Sequence, residues 1–310
     1  MTEKANLRSA FGRGLVRAGE TNKNVVALVA DLTNSVGFSE FAEKFPERFV
    51  NVGVAEQNLV TVASGMARVE RIPFAGAYAA FSPGRNWEQI RTTICINNLP
   101  VKIVSSHAGV NVGPDGATHQ ALEDIALMRV LPNMVVLAPG DAVEAEQVAL
   151  AMARDARPNY VRLPRSESPV VFDSTHKFQI GPAYKLRDGT DVVIFTTGTM
   201  TAQGLAAAGI LAGRKIDCEV VHIPTIKPLD AKTILKSAKK CRCVVTVEEH
   251  QVAGGFGSSI AELLGEKLPV PIHRIGIYNE YGQSGAPDEL LNYYGLTAEH
   301  IAKQIRKFLK

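Results

Sequence analysis

The chain has 310 residues, 46% of them hydrophobic, so it can bury a large core, and its length favours two domains. Lys and Arg number 34 against 31 Asp and Glu, and no basic stripe with interleaved aromatic residues occurs, which argues against a nucleic-acid partner. Because no apolar run approaches the roughly 18 residues of a membrane span and the N-terminus lacks a signal pattern, we expect a soluble, cytoplasmic protein without a membrane partner.

Short β-branched runs alternate with amphipathic stretches in the first half of the chain. The runs at 25–30, 101–105 and 134–138 predict buried parallel strands. Asp141, with Glu144 three residues later, predicts a capping box at the start of the helix that follows. We therefore predict an α/β domain over 1–165, with a mostly parallel sheet covered by helices. In such sheets ligands bind beyond the carboxyl ends of the strands.

The second half repeats this rhythm after a break. The periodicity fades over 166–189, which we predict as a linker, and 190–310 is predicted as a second, smaller α/β domain. The fold class is thus α/β, with two domains that each contain a mostly parallel sheet covered by helices. Within the second domain we predict strands at 191–195, 218–223, 243–247 and 270–275, and helices near 201–213, 230–239, 256–267 and 297–309.

Two loops of the first domain carry acids and histidines. Gly53-Val54-Ala55-Glu56-Gln57-Asn58 opens a helix-like run, and Ser106-His107 leads through Gly113-Pro114-Asp115-Gly116 into Ala117-Thr118-His119-Gln120. The loops resemble the half of a thiamine diphosphate pocket that grips the aminopyrimidine ring. The pattern that holds Mg²⁺ and the diphosphate in thiamine enzymes, Gly-Asp-Gly followed by paired Asn, does not occur in the chain.

On these motifs the chain resembles the C-terminal portion of transketolases, and specifically split transketolases in which that portion is a separate polypeptide. The resemblance covers nearly the whole chain and implies a pyrimidine-binding domain followed by a transketolase C-terminal-like domain. It also implies transfer of a two-carbon ketol unit from a ketose phosphate to an aldose phosphate. Thiamine diphosphate is the implied cofactor. Its diphosphate and Mg²⁺ ligands are expected on an N-terminal transketolase subunit, in a heterotetramer, and no metal ligands are expected here.

Within this resemblance Glu56 is the acid that hydrogen-bonds N1′ of the pyrimidine ring and so activates the cofactor. Apolar residues behind it favour the protonated acid by desolvation, whereas the helix start favours the carboxylate, and the residues alone leave the balance open. Tyr78 and Phe81 match the positions that line the pyrimidine ring, and Asp31 resembles an acid near the cofactor. Gly84 departs from the family, because many full-length transketolases have a further aromatic residue there.

His107, Asp115 and His119 match the residues that face the sugar in transketolases. The acid recognises the C2 hydroxyl of the donor, and the histidines hydrogen-bond hydroxyls and help to move protons. Histidine suits this work because its unperturbed pKa lies near neutrality. The resemblance therefore makes Glu56, His107 and His119 the predicted catalytic residues.

A further predicted set binds the terminal phosphate of the substrate. Arg8, Ser35 and Arg165 come from separated segments and align with the phosphate clamp of the family. Arginine is suited to this role because its planar guanidinium can bind phosphate oxygens in pairs.

Three alternative functions remain open from the sequence. The beta subunit of a 2-oxo-acid dehydrogenase also lacks the diphosphate half, and 1-deoxyxylulose-5-phosphate synthase has a related C-terminal portion. A noncatalytic binding module is the third. Glu248-Glu249-His250, followed by Gly254-Gly255, fails the nucleotide-loop pattern, so we predict a role in packing and subunit contact for it. The cysteines lack metal-ligand spacing and are expected to be buried free thiols: Cys95, Cys218, Cys241 and Cys243.

Overall fold

Helices and strands alternate along the chain and form two mostly parallel sheets, which confirms the predicted fold class. The structure is a computed structural model that describes residues 3–310. The helices are α1 Leu7–Thr21, α2 Ser39–Lys44, α3 Glu56–Arg68, α4 Trp87–Gln89, α5 Asp124–Arg129, α6 Ala142–Arg154, α7 Met200–Ala212, α8 Ala231–Lys240, α9 Phe256–Lys267, α10 Pro287–Tyr293 and α11 Ala298–Phe308. The strands are β1 Lys4–Ala5, β2 Val25–Val29, β3 Phe49–Asn51, β4 Ile72–Tyr78, β5 Lys102–Ser106, β6 Val135–Leu137, β7 Asn159–Arg162, β8 Ser168–Pro169, β9 Tyr184–Arg187, β10 Val192–Thr196, β11 Cys218–His222, β12 Thr225–Lys227, β13 Cys243–Gln251 and β14 Ile272–Ile277.

The larger sheet has seven strands in the order β12-β6-β7-β5-β4-β2-β3. All neighbouring pairs from β6 to β3 run parallel, and only β12 is antiparallel. Every residue of β2 and of β5 is buried, as expected for strands that have helices on both faces. The carboxyl ends of β2, β4, β5 and β7 therefore meet along one edge of this sheet.

The smaller sheet has five strands in the order β14-β13-β10-β11-β9, and only the edge strand β9 is antiparallel. The four predicted helices of this half correspond to α7, α8, α9 and α11, within a residue or two at each end. Helix α10 was not predicted, because it is short and begins after a run of Gly, Ser and Pro residues.

The segment 166–189 contains regular structure. Its strand β8 pairs with β1, and β9 joins the smaller sheet. Strand β8 has two residues and β9 has four, which is too short to produce a clear hydrophobic period. The segment therefore resembles a linker in sequence. In addition, β12 from the second half of the chain extends the larger sheet. The domain boundaries proposed at 165 and 190 stay predictions.

Buried side chains cover both faces of the larger sheet. On one face, α1 and α6 pack through Phe11, Leu15 and Val148. On the other face, Leu59 of α3 belongs to a cluster that continues without a break to Phe256 of α9. The two halves thus share apolar core as well as strand β12.

Asp141 caps α6 as predicted, because its side chain accepts a hydrogen bond from the Glu144 N–H at 2.9 Å. The reciprocal half of the capping box is absent at Glu144. Its carboxylate instead accepts from the Gly140 N–H at 2.7 Å and lies 2.7 Å from His222 Nε2 and 3.2 Å from His176 Nε2. Both carboxylate oxygens of Glu144 therefore have other partners in place of the N–H of the cap residue.

The four cysteines are buried and free, as predicted. Burial raises the pKa of Cys95 to about 11 and that of Cys218 to about 12, which keeps both thiols protonated at neutral pH. Across residues 3–310, the helices are all too short or too polar to cross a membrane.

Candidate functional site

The predicted site residues lie mainly where parallel strands of the larger sheet end. Tyr78 is the last residue of β4, His107 follows β5, and Arg165 follows β7. Ser35 lies in the loop after β2, and Arg8 lies in the first turn of α1. The parallel pairing of these strands brings their carboxyl ends together, so side chains that are distant in sequence share one edge.

An aromatic cluster joins two of the predicted groups. The rings of Tyr78 and His107 stack with centroids 3.8 Å apart, and Tyr78 also stacks with Phe81 at 5.8 Å. His119 meets Phe81 edge-on at 5.3 Å and Tyr78 at 6.3 Å. The residues predicted to line the pyrimidine ring therefore contact the histidines predicted to face the sugar.

His107 is held in an unusual environment for histidine. Its backbone is in the left-handed region at φ 58°, and its side chain is buried with Nδ1 3.0 Å from Ser106 Oγ. Burial, together with the positive charges of Arg8 and Arg165, lowers the pKa of His107 to about 3. The ring is therefore neutral at pH 7, with one nitrogen that donates a hydrogen bond and one that accepts.

Glu56 is the first residue of α3 and is only 2% exposed. Its Oε2 lies 2.8 Å from Arg85 Nη1, and the Arg85 guanidinium lies 5.1 Å from the centroid of the Phe81 ring. Asn86 Nδ2 donates to the backbone oxygen of Glu56 at 2.9 Å, which fixes the start of the helix. The Arg85 side chain is half exposed, so the buried Glu56 is paired with a group that reaches the surface.

A cavity of about 310 Å³ opens beside the aromatic cluster. Arg8 Nη1 donates to the Ser35 carbonyl oxygen at 2.6 Å, and Nη2 donates to the Arg165 carbonyl oxygen at 3.0 Å. Ser35 thus contributes a backbone oxygen to the support of Arg8. Arg8 Nε is buried without a hydrogen-bond partner among the described residues. The cavity is lined by Arg8, Ser9, Asn34, Ser35, Gly37, Tyr78, His107, Asp115 and Arg165.

The cavity wall is suited to an anion. Arg8 and Arg165 both line it, and Asp115 is its one acidic lining residue within the described part of the chain. Burial, followed by the neighbouring Arg165, lowers the pKa of Arg8 from its ordinary value, although the nearby Tyr78 opposes this shift. An anion bound between Arg8 and Arg165 would offset the repulsion between the two guanidinium groups.

Asp31 and Gly84 lie outside the cavity lining, as do Glu56, Phe81 and His119. Asp31 is exposed with φ 59° and exchanges hydrogen bonds with Asn51 at 3.1 and 3.2 Å. At Gly84 a Cβ would lie 2.3 Å from the Ala80 carbonyl oxygen. The backbone therefore leaves no room for the aromatic residue found at this position in many full-length transketolases.

The sequence patterns did not mark Ser9, Asn34 and Gly37, which line the cavity, or Asn111, which lies between His107 and Asp115. The position of Asn34 next to Ser35 was an available signal, as was that of Asn111 inside the Gly109–Gly113 stretch. Ser9 is an ordinary helix residue, so no local pattern marks it.

Two family models match the chain. The transketolase pyrimidine-binding domain matches residues 3–170, which is more than half of the chain, and the transketolase C-terminal domain matches residues 181–301. The chain belongs to the transketolase family. Both predicted domains of the family are therefore present, in the predicted order.

Two relatives of this transketolase-family chain match it over nearly their whole length. It is 43% identical over 98% of its length to a protein described as a transketolase C-terminal section of Methanocaldococcus jannaschii, and covers 96% of that protein. It is 37% identical to the 6-deoxy-6-sulfo-D-fructose transketolase subunit SqwH of a Clostridium species, with 96% and 92% of the two chains covered. A 1-deoxy-D-xylulose-5-phosphate synthase of Pelotomaculum thermopropionicum is 39% identical, but the match covers only 47% of that enzyme.

Among solved structures, a split-gene transketolase described as an inactive β4 tetramer superimposes on the transketolase chain with a TM-score of 0.92. The two chains are 44% identical, and 98% of each is covered. This similarity supports the prediction that the chain corresponds to the C-terminal part of a split transketolase.

Proposed function

We propose that this chain is the C-terminal subunit of a split transketolase, which transfers a two-carbon ketol unit from a ketose phosphate to an aldose phosphate. The observation that carries the proposal is the convergence of three groups at one edge of a parallel sheet. Buried Glu56 pairs with Arg85, whose guanidinium lies near the Phe81 ring, neutral His107 stacks on Tyr78, and two arginines line the adjoining cavity.

The chemistry of the Glu56 wall fits the aminopyrimidine half of thiamine diphosphate, the cofactor of this family. A buried carboxyl group beside partly exposed aromatic rings can bind one ring nitrogen while the rings cover the face. Glu56, Tyr78 and Phe81 would hold the pyrimidine, and the family resemblance adds Asp31 as a further cofactor-binding residue. When bound, thiamine diphosphate supplies the electron sink for the carbanion that forms as the donor is cleaved.

The proposed roles of the chain's own residues follow from their geometry. Glu56 holds a proton at N1′ of the pyrimidine ring, and Arg85 orients its carboxyl group through the 2.8 Å contact. His107, being neutral, hydrogen-bonds a substrate oxygen without adding charge. His119 and the exposed Asp115 lie on the loop that faces the cavity, where they would bind sugar hydroxyls and help to move protons.

Arg8 and Arg165, with the Ser35 loop, would bind the terminal anion of the sugar. A phosphate matches their spread of N–H donors. A sulfonate has the same three-oxygen face, and the name of the SqwH relative places a sulfo group on the sugar of that enzyme. Comparing a phosphorylated sugar with its sulfonated counterpart in the same assay would decide which anion this chain prefers.

We further propose that activity needs an N-terminal subunit that carries the diphosphate-binding domain and the Mg²⁺ ligands, in a heterotetramer that acts in the cytoplasm. The chain has no Gly-Asp-Gly pattern of its own, and a relative of the same length forms a tetramer described as inactive. These two observations support a site completed by a second chain.

The experiment is to express residues 1–310 together with the cognate diphosphate-domain chain and to measure ketol transfer with thiamine diphosphate and Mg²⁺. Each chain alone should be inactive and the mixture active, and a mixture with Glu56→Gln should serve as the matched inactive control. A co-purified, cofactor-loaded complex without ketol transfer would contradict the proposal.

The similarity to 1-deoxy-D-xylulose-5-phosphate synthase keeps that activity as a second candidate. The same complex should therefore be assayed for formation of 1-deoxyxylulose 5-phosphate. The dehydrogenase subunit is disfavoured because the substrates of that enzyme are not phosphorylated sugars and need no phosphate clamp. The noncatalytic module is disfavoured because it would not need Glu56, Asp115 and His119.

A further inference from the structure

The loop that carries the proposed substrate-binding residues is held by a carboxylate from the second half of the chain. Glu249, in β13, accepts hydrogen bonds from the Asn111 backbone N–H at 2.8 Å and from Asn111 Nδ2 at 3.0 Å. Both side chains are buried, at 4% and 6% exposure. The contact joins positions 138 residues apart and lies outside the groups that would touch substrate or cofactor.

Asn111 in turn forms a hydrogen bond with Arg165. Asn111 Oδ1 accepts a hydrogen bond from the Arg165 backbone N–H at 3.0 Å. The Arg165 guanidinium in turn donates to the Val112 carbonyl oxygen at 2.5 Å, and the Arg165 carbonyl oxygen accepts from Arg8 at 3.0 Å. Arg165 is therefore tied directly to Asn111, the residue that Glu249 holds in place, and Arg8 is tied to it through the Arg165 carbonyl oxygen.

The backbone of the loop is built around this carboxylate. Gly109 has φ 87°, and a Cβ there would lie 2.4 Å from Glu249 Oε1. With glycine at position 109 the loop backbone thus approaches the Glu249 carboxylate more closely than any residue with a Cβ would allow. On its other side Glu249 is anchored by its own carbonyl oxygen, which accepts from Arg162 Nη2 at 3.2 Å.

We propose that Glu249 is a positioning residue for the anion-binding end of the site, and that it acts through Asn111 on Arg165. The inference rests on the proposed function, because it assigns the second half of the chain a part in the same site. Packing alone does not explain the contact. The two carboxylate oxygens of Glu249 accept from two donors of Asn111, and the side-chain oxygen of Asn111 accepts from the Arg165 N–H.

The hydrogen-bond pattern supplies a sharp test. In Glu249→Gln one acceptor becomes an NH₂ donor, which faces Asn111 Nδ2 as a second donor. Rotating the Asn111 amide moves the clash without removing it, because Nδ2 then faces the Arg165 N–H. Adding Asn111→Asp restores every pair, since the new carboxylate accepts from both the introduced amide at position 249 and the Arg165 N–H, with the same net charge.

The three variants should be compared in the complete complex with a phosphorylated donor and acceptor and, separately, with hydroxypyruvate and an unphosphorylated acceptor. Glu249→Gln should raise the KM for the phosphorylated substrates about tenfold, with a smaller change for the unphosphorylated pair. Asn111→Asp alone places two carboxylates together and should be at least as damaging. The double variant should return the KM to within about threefold of the unmodified complex.

A matched control is Glu219→Gln, which changes another buried carboxylate of the smaller sheet. Glu219 pairs with Lys240 at 2.7 Å and contacts no part of the substrate loop. This control should lower the thermal midpoint without a selective change in KM for phosphorylated substrates.

The outcomes separate the two proposals. If neither single variant changes the KM, if both substrate pairs suffer equally, or if the double variant shows no recovery, Glu249 is not a positioning residue. Absence of ketol transfer in the unmodified complex contradicts the proposed function instead. In that event inorganic phosphate should be titrated into the same complexes to test the positioning role. That role requires weaker phosphate binding in Glu249→Gln and recovery of binding in the double variant. An unmodified complex that binds no phosphate also overturns the positioning role.

Discussion

Replacing Arg165 by alanine removes one of the two guanidinium groups at the cavity. A hydrogen bond between charged groups contributes about 1.5–3 kcal/mol, so the KM for a phosphorylated substrate should rise roughly ten- to a hundredfold. The fold should persist, because the structural loss is one hydrogen bond to the Val112 carbonyl, roughly 0.5–1.5 kcal/mol, and the Arg8 contact is to the backbone of Arg165. The kcat should change little, since the guanidinium would touch the anion and not the reacting carbons.

The assay compares steady-state kinetics of the reconstituted complex on two substrate sets, one phosphorylated and one made of hydroxypyruvate with an unphosphorylated acceptor. Arg165→Lys is the matched control, because it keeps the positive charge and loses the planar fork, so an intermediate KM is expected. Equal damage with both substrate sets would refute the reasoning and would favour the 2-oxo-acid dehydrogenase subunit, which needs no clamp for a sugar phosphate.

Three further predictions concern the acid, the cofactor and a buried ion cluster. Glu56→Gln should lower turnover about a hundredfold or more while the thermal midpoint stays within a few degrees, and near-normal turnover at saturating cofactor would show that Glu56 is not the activating acid. The isolated chain should bind thiamine diphosphate weakly by calorimetry, and Mg²⁺-dependent binding at about micromolar Kd or tighter would contradict the split site. Burial by itself would raise the pKa of Glu144, but His222 and the hydrogen bonds from His176, His222 and Gly140 outweigh it and hold the pKa at about 2, below the ordinary 4.5. The stabilising effect of ionised Glu144 is therefore complete above pH 4.5 and is lost as the pH falls towards 2. In Glu144→Gln the free energy of unfolding should consequently depend less on pH in this range. An unchanged pH dependence would contradict this prediction.

Much of the framework could be predicted from the sequence because the signals are local. Continuous β-branched runs such as Val25–Val29 mark strands that are buried on both faces, and their alternation with amphipathic stretches indicates parallel sheets. The resemblance of the loops around Glu56 and His107 to a family pattern indicated which side chains meet. The family assignment is confirmed, whereas the roles of individual residues stay predictions.

The sequence by itself thus determined the fold class, the main strands and helices of the second half, and the identity of the acids, histidines and arginines placed at one sheet edge. Only the tertiary structure decided the partners of the buried charges. Glu144 fitted a capping box but pairs with His222, 78 residues away, and Glu249 lay in a motif assigned to packing yet binds Asn111. The physical reason is that a buried carboxylate must find donors wherever the folded chain supplies them, and local sequence does not encode which distant donor arrives there.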